Sequence, residues 1–488
     1  MTSGSRDLNE RESGEQVAAA FPTKVLPAPK VRDLPDPPAK AWRYVGPGII
    51  AAGVGLSTGE FVLFPYIASQ VGLTFVWAAL VGLLTQFFIN MEIERYTLAT
   101  GETAITGFSR LWRHWGLVFV VGACLANVWP AWATSSATLV TYAFGGDVAI
   151  IAIVMLLAIA AILTLAPVVY TALERIELVK VGAVLLLVIV AAIFAIGPAW
   201  ADAPQIVTQP GFPAAELGIA VLMGALAFAG AGGGQNLVQS NWIRDKGFGM
   251  GRYIPRLASP ITGGKATRGV EAHGVAGYVF PPTEANLGRW KGWWRFANRE
   301  QLLTFVLISL ISIVFMSLLS YATTFGRDDV ENDISFLQVE GTVLMETVGP
   351  WFGYFFWIIG AFALFAAATG IVDYTARLAA DVLHTSYFTK APEGRIYAIV
   401  VWSLALLGCV VIGVGFDQPI VLTVIAACVG GTMMFIYSGL LIIINRRMLP
   451  AAIRIRGLRL SMLVWAILLF GTLAVLTIQD QLSKAFAG

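Results

Sequence analysis

Residues 46–61 read GPGIIAAGVGLSTGEF and residues 228–237 read FAGAGGGQNL, and these two stretches decide the fold. Each lies inside an apolar run, yet each places glycines and polar side chains at its centre. A glycine inside a helix costs about 1 kcal/mol relative to alanine. An ionised carboxylate such as that of Glu60 costs roughly 2.5–3.5 kcal/mol at the centre of a bilayer. We therefore predict two helices that are interrupted at these points.

The composition is typical of a membrane protein. The 488 residues are 57% hydrophobic and only 13% charged, whereas about a quarter of the residues in a soluble domain are charged. The net charge of +2 provides no electrostatic basis for a nucleic-acid partner. The cysteines lie in apolar runs and the histidines in polar connections, so we expect no disulfide framework, no intramembrane histidine site and no cofactor.

Eleven spans have the length of about 20 apolar residues that a helix needs to cross a bilayer. They cover residues 45–69, 73–96, 116–141, 147–167, 178–198, 214–240, 301–323, 349–373, 394–415, 419–444 and 459–479. Alternate connections are rich in Lys and Arg, including the one with Arg175 and Lys180. Because cytoplasmic loops retain positive charge, we predict an inner-membrane protein with its N-terminus in the cytoplasm and its C-terminus outside.

The spans also predict the organisation of the chain. Residues 1–42 combine basic residues with many prolines and lack the apolar core of a signal peptide, which predicts a disordered cytoplasmic tail. The first and sixth spans cross in opposite senses, so they can begin two inverted five-helix repeats. We assign these repeats to residues 43–198 and 214–444, and residues 459–488 to an eleventh helix with a short C-terminal tail.

Interrupted helices at corresponding positions of two repeats indicate the substrate site of a secondary transporter, near the bilayer midplane. The alternative is that the glycines serve close helix packing. Packing explains the glycines, but it does not explain Ser57, Glu60, Gln235 and Asn236 at the same depth.

Four motifs resemble the Nramp family of divalent metal transporters, over most of the chain from Gly46 to about Pro450. They are Gly46-Pro47-Gly48, Ala99-Thr100-Gly101-Glu102, Gln235-Asn236-Leu237 and Arg446-Arg447-Met448. The resemblance implies an all-α fold of the LeuT type, with about eleven transmembrane helices, two inverted repeats of five and breaks in helices 1 and 6. It also implies symport of a metal ion.

The chain departs from the family at the positions that bind metal and protons. The family's Asp-Pro-Gly-Asn motif aligns with residues 57–60, Ser-Thr-Gly-Glu, and its Met-Pro-His motif aligns with residues 233–235, Gly-Gly-Gln. The loss of the methionine removes the soft ligand that favours manganese and iron. The acidic pair of the third helix aligns with Trp129 and Trp132, and the second histidine of the sixth helix with Ser240.

The substrate-binding residues predicted at the two breaks are Val54, Ser57, Thr58, Gly59, Glu60, Gly230, Gly233, Gln235 and Asn236, with Trp129 and Trp132 as further lining. Glu60, Ser57 and Gln235 are the predicted metal ligands, since an all-oxygen set suits a hard cation such as magnesium or manganese. Equally, the glycines leave room for an organic amine, which a tryptophan can contact through cation–π attraction. The tryptophans can also serve packing alone, and Glu60 can carry a proton.

Charged and aromatic residues outside the two breaks also lead to predictions. Asp373 and Arg377 lie four residues apart and can pair, although we expect Arg377 to extend to the headgroups. Glu92, Glu94 and Arg95 are expected on a solvated cytoplasmic face. The long insert at 241–300 contains an amphipathic segment at 289–295, expected to lie at the inner leaflet against membrane lipid or to dock a protein that the sequence does not identify.

The sequence bears on three classes of function: an enzyme, a transporter and a membrane sensor. An enzyme is not expected, because no nucleophile, base or metal constellation is present in the sequence pattern. A transporter of a divalent metal is the first expectation, and a transporter of a small organic cation or other polar solute is the alternative. A membrane sensor derived from a transporter is the third, since replaced ligands are what the loss of transport would leave.

Overall fold

The computed structural model describes residues 12–38, 46–56, 59–166, 168–257, 276–331, 333–415 and 419–487. Its long helices follow the predicted spans. They are helix 1 (1a, Pro47–Gly55; 1b, Gly59–Leu63 and Phe64–Val71), helix 2 (Trp77–Thr100), helix 3 (Trp115–Asn127 and Ala131–Phe144), helix 4 (Val148–Leu165), helix 5 (Val169–Phe194), helix 6 (6a, Ile219–Phe228; 6b, Gly234–Lys246), helix 7 (Glu284–Glu300, Gln301–Leu307 and Ile308–Thr324), helix 8 (Pro350–Ser386), helix 9 (Glu393–Gly413), helix 10 (Pro419–Arg447) and helix 11 (Leu458–Ala487).

Short elements connect these helices. They are helices at residues 12–19, Ala104–Leu111, Gly197–Ala201, Gln205–Thr208, Ala214–Leu217, Gly249–Tyr253, Phe336–Thr347 and Ala451–Ile453, a turn at Gly72–Phe75, and strands Lys30–Val31 and Tyr278–Val279. Within the described residues, nine helices are long and apolar enough to cross a membrane. Of the others, helix 2 carries three charged residues near its end, and helix 6 is divided into two shorter pieces.

The two predicted breaks are confirmed. Helix 1a ends at Gly55, and helix 1b begins at Gly59 with a wide π-helical turn. Helix 6a ends at Phe228, and helix 6b begins at Gly234. Ser57 and Thr58, which we predicted as substrate-binding residues, lie outside the described residues.

Helix 3 has a third interruption, which we did not predict. Its two pieces end at Asn127 and begin again at Ala131, with Pro130 immediately before the second piece. Proline has no backbone N–H and its ring clashes with the preceding turn, so the helix cannot continue through it. The single span predicted over residues 116–141 is therefore two helical pieces.

The N-terminal segment differs from the expected disordered tail over residues 12–38. Lys30–Val31 pairs in parallel with Tyr278–Val279. The backbone N–H of Leu34 donates to the Asn286 side chain at 3.1 Å. These long-range contacts order a sequence whose composition by itself predicts no structure, because the partner strand and helix 7 satisfy its backbone groups.

Both ends of the expected insert at 241–300 are helical. Helix 6b extends to Lys246 and helix 7 begins at Glu284, so the connection is shorter than predicted. Trp290 and Trp293 are buried rather than placed at the lipid surface, and the Trp293 indole donates to the Pro35 carbonyl at 2.8 Å. The amphipathic segment is thus covered by the protein's own N-terminal segment.

Several charged residues that we expected at the surface are buried. Glu92 and Glu94 are fully buried, and Glu92 pairs with Arg95 at 2.6 Å. Lys180, assigned above to a cytoplasmic connection, lies inside helix 5, where its ammonium is 2.7 Å from the Glu177 carboxylate. Pairing within the protein offsets part of the free-energy cost of burying these charges. A prediction that assigns charged residues to loops therefore puts such residues in the wrong place.

Candidate functional site

The two broken helices touch each other at their breaks. A Cβ added at Gly55 would overlap the Gly230 carbonyl oxygen, and a Cβ added at Gly59 would overlap the Phe228 carbonyl oxygen. Gly230 also has φ +100°, a conformation that L-residues with side chains rarely adopt. The glycines therefore allow an approach of the two backbones that any larger residue would prevent.

A small cavity lies at this meeting point. Its walls are formed by glycines, aromatic and aliphatic side chains and one amide: Gly55, Trp132, Phe228, Gly230, Ala231, Gly232, Gln235, Ile371 and Tyr374. Its volume is about 10 Å³, which is near the lower limit for a single water molecule. The helices are thus closed around this point, and any larger solute requires them to separate.

The break in helix 6 is held by Gln86 of helix 2. The Gln86 side-chain oxygen accepts from the backbone N–H groups of Ala231 at 3.0 Å and Gly232 at 3.2 Å. Its amide nitrogen donates to the Ala227 carbonyl at 2.9 Å. The Tyr437 hydroxyl donates to the Gly233 carbonyl at 3.1 Å. One amide and one hydroxyl therefore satisfy much of the backbone that the break releases.

The two predicted amides of helix 6b have different surroundings. Gln235 lines the cavity and donates to the Ala51 carbonyl of helix 1a at 2.6 Å. Asn236 is fully buried on the other side and donates to Asn90 of helix 2 at 2.7 Å. Gln235 thus ties helix 6b to helix 1a, whereas Asn236 belongs to the packing between helices 6b and 2.

Glu60 lies at the start of helix 1b and is 1% exposed. Neither of its oxygens has a hydrogen-bond partner within the described part of the chain. Ser309 of helix 7 and Lys180 of helix 5 lie close enough to interact with it. Lys180 pairs with Glu177, whose side chain lies against Gly53 of helix 1a. Helix 5 thus places a buried ammonium between carboxylates on either side of the helix 1 break.

Of the remaining predicted residues, some line the cavity and others pack between helices. Trp132 is buried and lines the cavity, whereas Trp129 is only partly buried and is absent from its lining. The Val54 side chain packs toward Gly370 of helix 8, and Gly233 packs against Gly430 of helix 10. Gly230 contributes to the cavity, and its carbonyl oxygen lies against Gly55.

Of the three predicted metal ligands, the structure describes Glu60 and Gln235, and the metal-binding set as a whole stays a prediction. Gln235 lines the cavity, and Glu60 is not part of that lining. No group of three or more His, Cys, Asp and Glu side chains positioned to hold a metal occurs among the described residues. What the cavity offers is aromatic surface, one amide and backbone.

Several residues of the site were not predicted from the sequence, among them Gln86 and Tyr374. Gln86 is an amide inside an apolar helix, and such a residue within a span is a functional signal in itself. Tyr374 of helix 8 lines the cavity, and its hydroxyl accepts from the Asn127 amide at 2.6 Å, at the interruption of helix 3. No local pattern links residues 127 and 374, so only the fold brings them together.

Ion pairs join the ends of helices 6b, 8 and 9 beyond the cavity. The Arg377 guanidinium pairs with Asp373 at 3.0 Å and with Asp245, and all three side chains are fully buried. The pairing is confirmed, and the expectation that Arg377 extends to the headgroups is wrong. Arg244 bonds Asp381 at 2.9 Å beside a separate polar cavity of about 360 Å³. These pairs lock helix 6b to helix 8.

The arrangement defines a class: an integral, all-α membrane protein with a LeuT-type fold, whose helices 1 and 6 are broken at one common point. No protein-family model and no curated protein sequence matches the chain. Solved structures do match it. The fold is similar to that of a manganese transporter of Eremococcus coleocola, with a TM-score of 0.67 and 11% identity over 94% of this chain and 91% of that chain.

Two further solved structures are also similar. MhsT, solved in complex with L-phenylalanine, has a TM-score of 0.53 and 13% identity over 92% of this chain and 99% of that chain. Mhp1, a nucleobase-cation-symport-1 family transporter solved in a closed conformation, has a TM-score of 0.50 and 12% identity over 91% and 95%. At these identities the similarity establishes the fold alone.

Proposed function

We propose that this protein is a secondary transporter that binds a small polar organic solute between the breaks of helices 1 and 6 and moves it by alternating access. The observation that carries this proposal is the cavity where the breaks meet, lined by Trp132, Phe228, Tyr374 and Gln235. Ligand sites of this kind combine apolar and aromatic walls with a few polar groups that fix orientation.

The chemistry of the lining favours an organic solute over a metal ion. A hard cation takes six or more oxygen ligands around one point, and the lining contains one side-chain amide and no carboxylate among the described residues. The rings of Trp132, Phe228 and Tyr374 instead suit an apolar or cationic group on an organic molecule. The glycines beside them leave volume for the solute once the helices separate.

Alternating access requires that the breaks open in turn. Gln235 ties helix 6b to helix 1a through the Ala51 carbonyl, and Arg244 and Arg377 tie helix 6b to helix 8. We place the Arg244 and Arg377 pairs on the cytoplasmic side, with the N-terminus inside and the C-terminus outside. These links must break for a solute to leave the cavity on that side.

The first experiment is a thermal-shift screen of the purified protein against primary and quaternary amines, amino acids and nucleobases, followed by uptake of the hits into proteoliposomes. We expect a solute that raises the Tm of the wild type and accumulates in vesicles, and that loses both effects in Trp132→Ala. Trp129→Ala is the matched control. A thermal shift without accumulation would instead favour the sensor.

A divalent metal remains the second candidate, because the Glu60 carboxyl has no hydrogen-bond partner in the described part of the chain and lies at the helix 1 break. Its test is uptake of manganese and magnesium into proteoliposomes, with and without an inward proton gradient, beside Glu60→Gln. Metal uptake that collapses in Glu60→Gln and persists in Trp132→Ala would replace the organic solute with a metal.

A further inference from the structure

We propose that helix 7 carries a proton path, separate from the solute cavity, that connects Glu340 at the predicted outer side with Glu60 at the helix 1 break. Its role in coupling rests on the proposed transport function. The path itself is tested without any solute, so the two proposals fail separately.

The first observation is a row of buried hydroxyls on one face of helix 7. Ser309, Ser312, Ser317 and Ser320 are all fully buried, and their spacing of three, five and three residues keeps them within one side of the helix. This part of helix 7 packs against helix 1b and helix 5. The row therefore faces the protein interior and the half-helix that begins beside Glu60.

Three hydroxyls in this row lack the hydrogen bond that a buried serine in a helix commonly makes. A buried serine in a membrane helix commonly donates to the carbonyl one turn earlier, as Ser438 of helix 10 does to Met434 at 2.6 Å. Ser309, Ser312 and Ser317 have no hydrogen-bond partner within the described residues. Unsatisfied buried polar groups are rare, and several in one row indicate a site for water or an ion.

Each end of the row carries a buried carboxyl group. Glu340, on the short helix Phe336–Thr347, is fully buried, and neither of its oxygens has a hydrogen-bond partner within the described residues. Ser320 lies close enough to interact with it. At the other end, Ser309 acts on Glu60. Eleven residues of helix separate the two serines, which corresponds to roughly 16 Å, about half the hydrocarbon thickness.

Ser320 also links the row to helix 1b. Its hydroxyl donates to the Pro65 carbonyl at 3.0 Å and lies 3.2 Å from the Thr324 hydroxyl. The outer end of the row thus lies against helix 1b, on which this part of helix 7 packs. A movement of helix 1b, which alternating access requires, would break or complete it.

The chemistry of the row suits a proton. A hydroxyl both donates and accepts hydrogen bonds, so a file of hydroxyls with bridging water passes a proton from one carboxyl to the other. A metal cation needs several oxygens around one point, whereas these groups are spread along one helix. At the Glu60 end, Lys180 is the charged group that acts on the carboxyl, and Glu177 in turn acts on Lys180.

Few other charged side chains lie near the row among the described residues. Asp373 of helix 8 acts on Glu177 and not on the row itself. At the Glu340 end, Ser320 is the one side chain that acts on the carboxyl within the described residues. The Lys180 ammonium therefore lies at the Glu60 end of the row, where it pairs with Glu177.

The test is proton entry into proteoliposomes that hold the purified full-length protein and a trapped pH indicator, driven by an inside-negative potassium diffusion potential and measured without solute. We expect wild-type entry above that of protein-free vesicles. We expect entry at least about tenfold slower in Glu340→Gln, and slowed in the double variant Ser312→Ala with Ser317→Ala. Ser438→Ala is the matched control, and we expect wild-type entry from it.

Each outcome decides the proposal, provided that every variant elutes as a single species with a wild-type Tm. Wild-type entry no faster than in protein-free vesicles would overturn the path. So would wild-type rates in both Glu340→Gln and the double serine variant. Proton entry that requires sodium, lost when N-methylglucamine replaces it, would identify a sodium route instead. Solute uptake that fails while Glu340-dependent proton entry persists would count against the transport proposal alone.

Discussion

The two helix breaks have similar sequences, but their polar groups differ in whether they have hydrogen-bond partners. At the break in helix 6, Gln86 and Tyr437 bond the released backbone groups. At the break in helix 1, the Glu60 carboxyl has no hydrogen-bond partner among the described residues. A broken helix is therefore not by itself a binding site. We infer that the polar contacts at the helix 6 break serve structure, whereas the Glu60 carboxyl at the helix 1 break is available for chemistry.

The contact between the breaks gives the largest expected effect. Gly55→Val places its side chain in the position of the Gly230 carbonyl, so we expect the free energy of unfolding to fall by about 5 kcal/mol. Chemical unfolding of the purified protein in detergent measures it. Gly182→Val is the matched control, since a Cβ there meets nothing within 4 Å. Equal stability of the two variants would show that the breaks do not touch.

The next largest effect is expected beside the helix 1 break. Lys180→Met leaves the buried carboxylate of Glu177 without its partner, and we expect a loss of about 3–4 kcal/mol in the free energy of unfolding. The double variant with Glu177→Leu should recover much of that loss, because neither charge is then buried alone. A double variant as unstable as Lys180→Met would mean that the pair is not the cause.

The helix 6 break should respond to loss of its amide. Gln86→Leu leaves the N–H groups of Ala231 and Gly232 without their acceptor, and we expect a loss of about 2 kcal/mol. The exposed Gln338→Leu should change stability little and serves as its control. If Gln86→Leu is as stable as the wild type, the break is not held by this side chain.

The hydroxyl at the same break should have a smaller effect. Tyr437→Phe removes one hydrogen bond, to the Gly233 carbonyl, and keeps the ring. We expect a loss of about 1 kcal/mol in the free energy of unfolding. A loss as large as that of Gln86→Leu would place the main support of the break on helix 10 rather than on helix 2.

The smallest change in stability is expected at the residue that distinguishes the helix 1 break. Glu60→Gln gives up no hydrogen bond of the described structure and replaces an ionisable group by a neutral amide, so we expect a change within about 0.5 kcal/mol. Unfolding measured beside Gln86→Leu tests the contrast directly. A large loss of folded protein would make Glu60 a structural residue and remove the difference between the breaks.

Much of the architecture was predictable because lipid imposes simple rules on sequence. The breaks at residues 53–60 and 230–236 follow from glycines and polar groups inside apolar runs, and the Asp373–Arg377 pair follows from a spacing of four residues. The interruption of helix 3 could also have been predicted, because Pro130 stands in the middle of its span.

The partners of these groups could not be predicted, because they come from distant parts of the chain. Glu300 accepts from the N–H of Gly48 at 2.9 Å and so bonds the start of helix 1, yet 252 residues separate the two. Gln86 bonds the helix 6 break although 145 residues separate it from Ala231. Lys180 was misplaced because a charge inside a span looks like a loop charge until its partner Glu177 is seen beside it.

The paired strands Lys30–Val31 and Tyr278–Val279 constrain the order of assembly. Residues 12–38 leave the ribosome before helix 7. The Pro35 carbonyl can accept its hydrogen bond only after Trp293, 258 residues later, has been made. At the usual pace of synthesis this delay is roughly 12–50 seconds. This early segment thus docks only after helix 7 has been made, and its docking reports that helix 7 is in place. A chain stalled before that point would display an unpaired strand to the folding machinery of the cell.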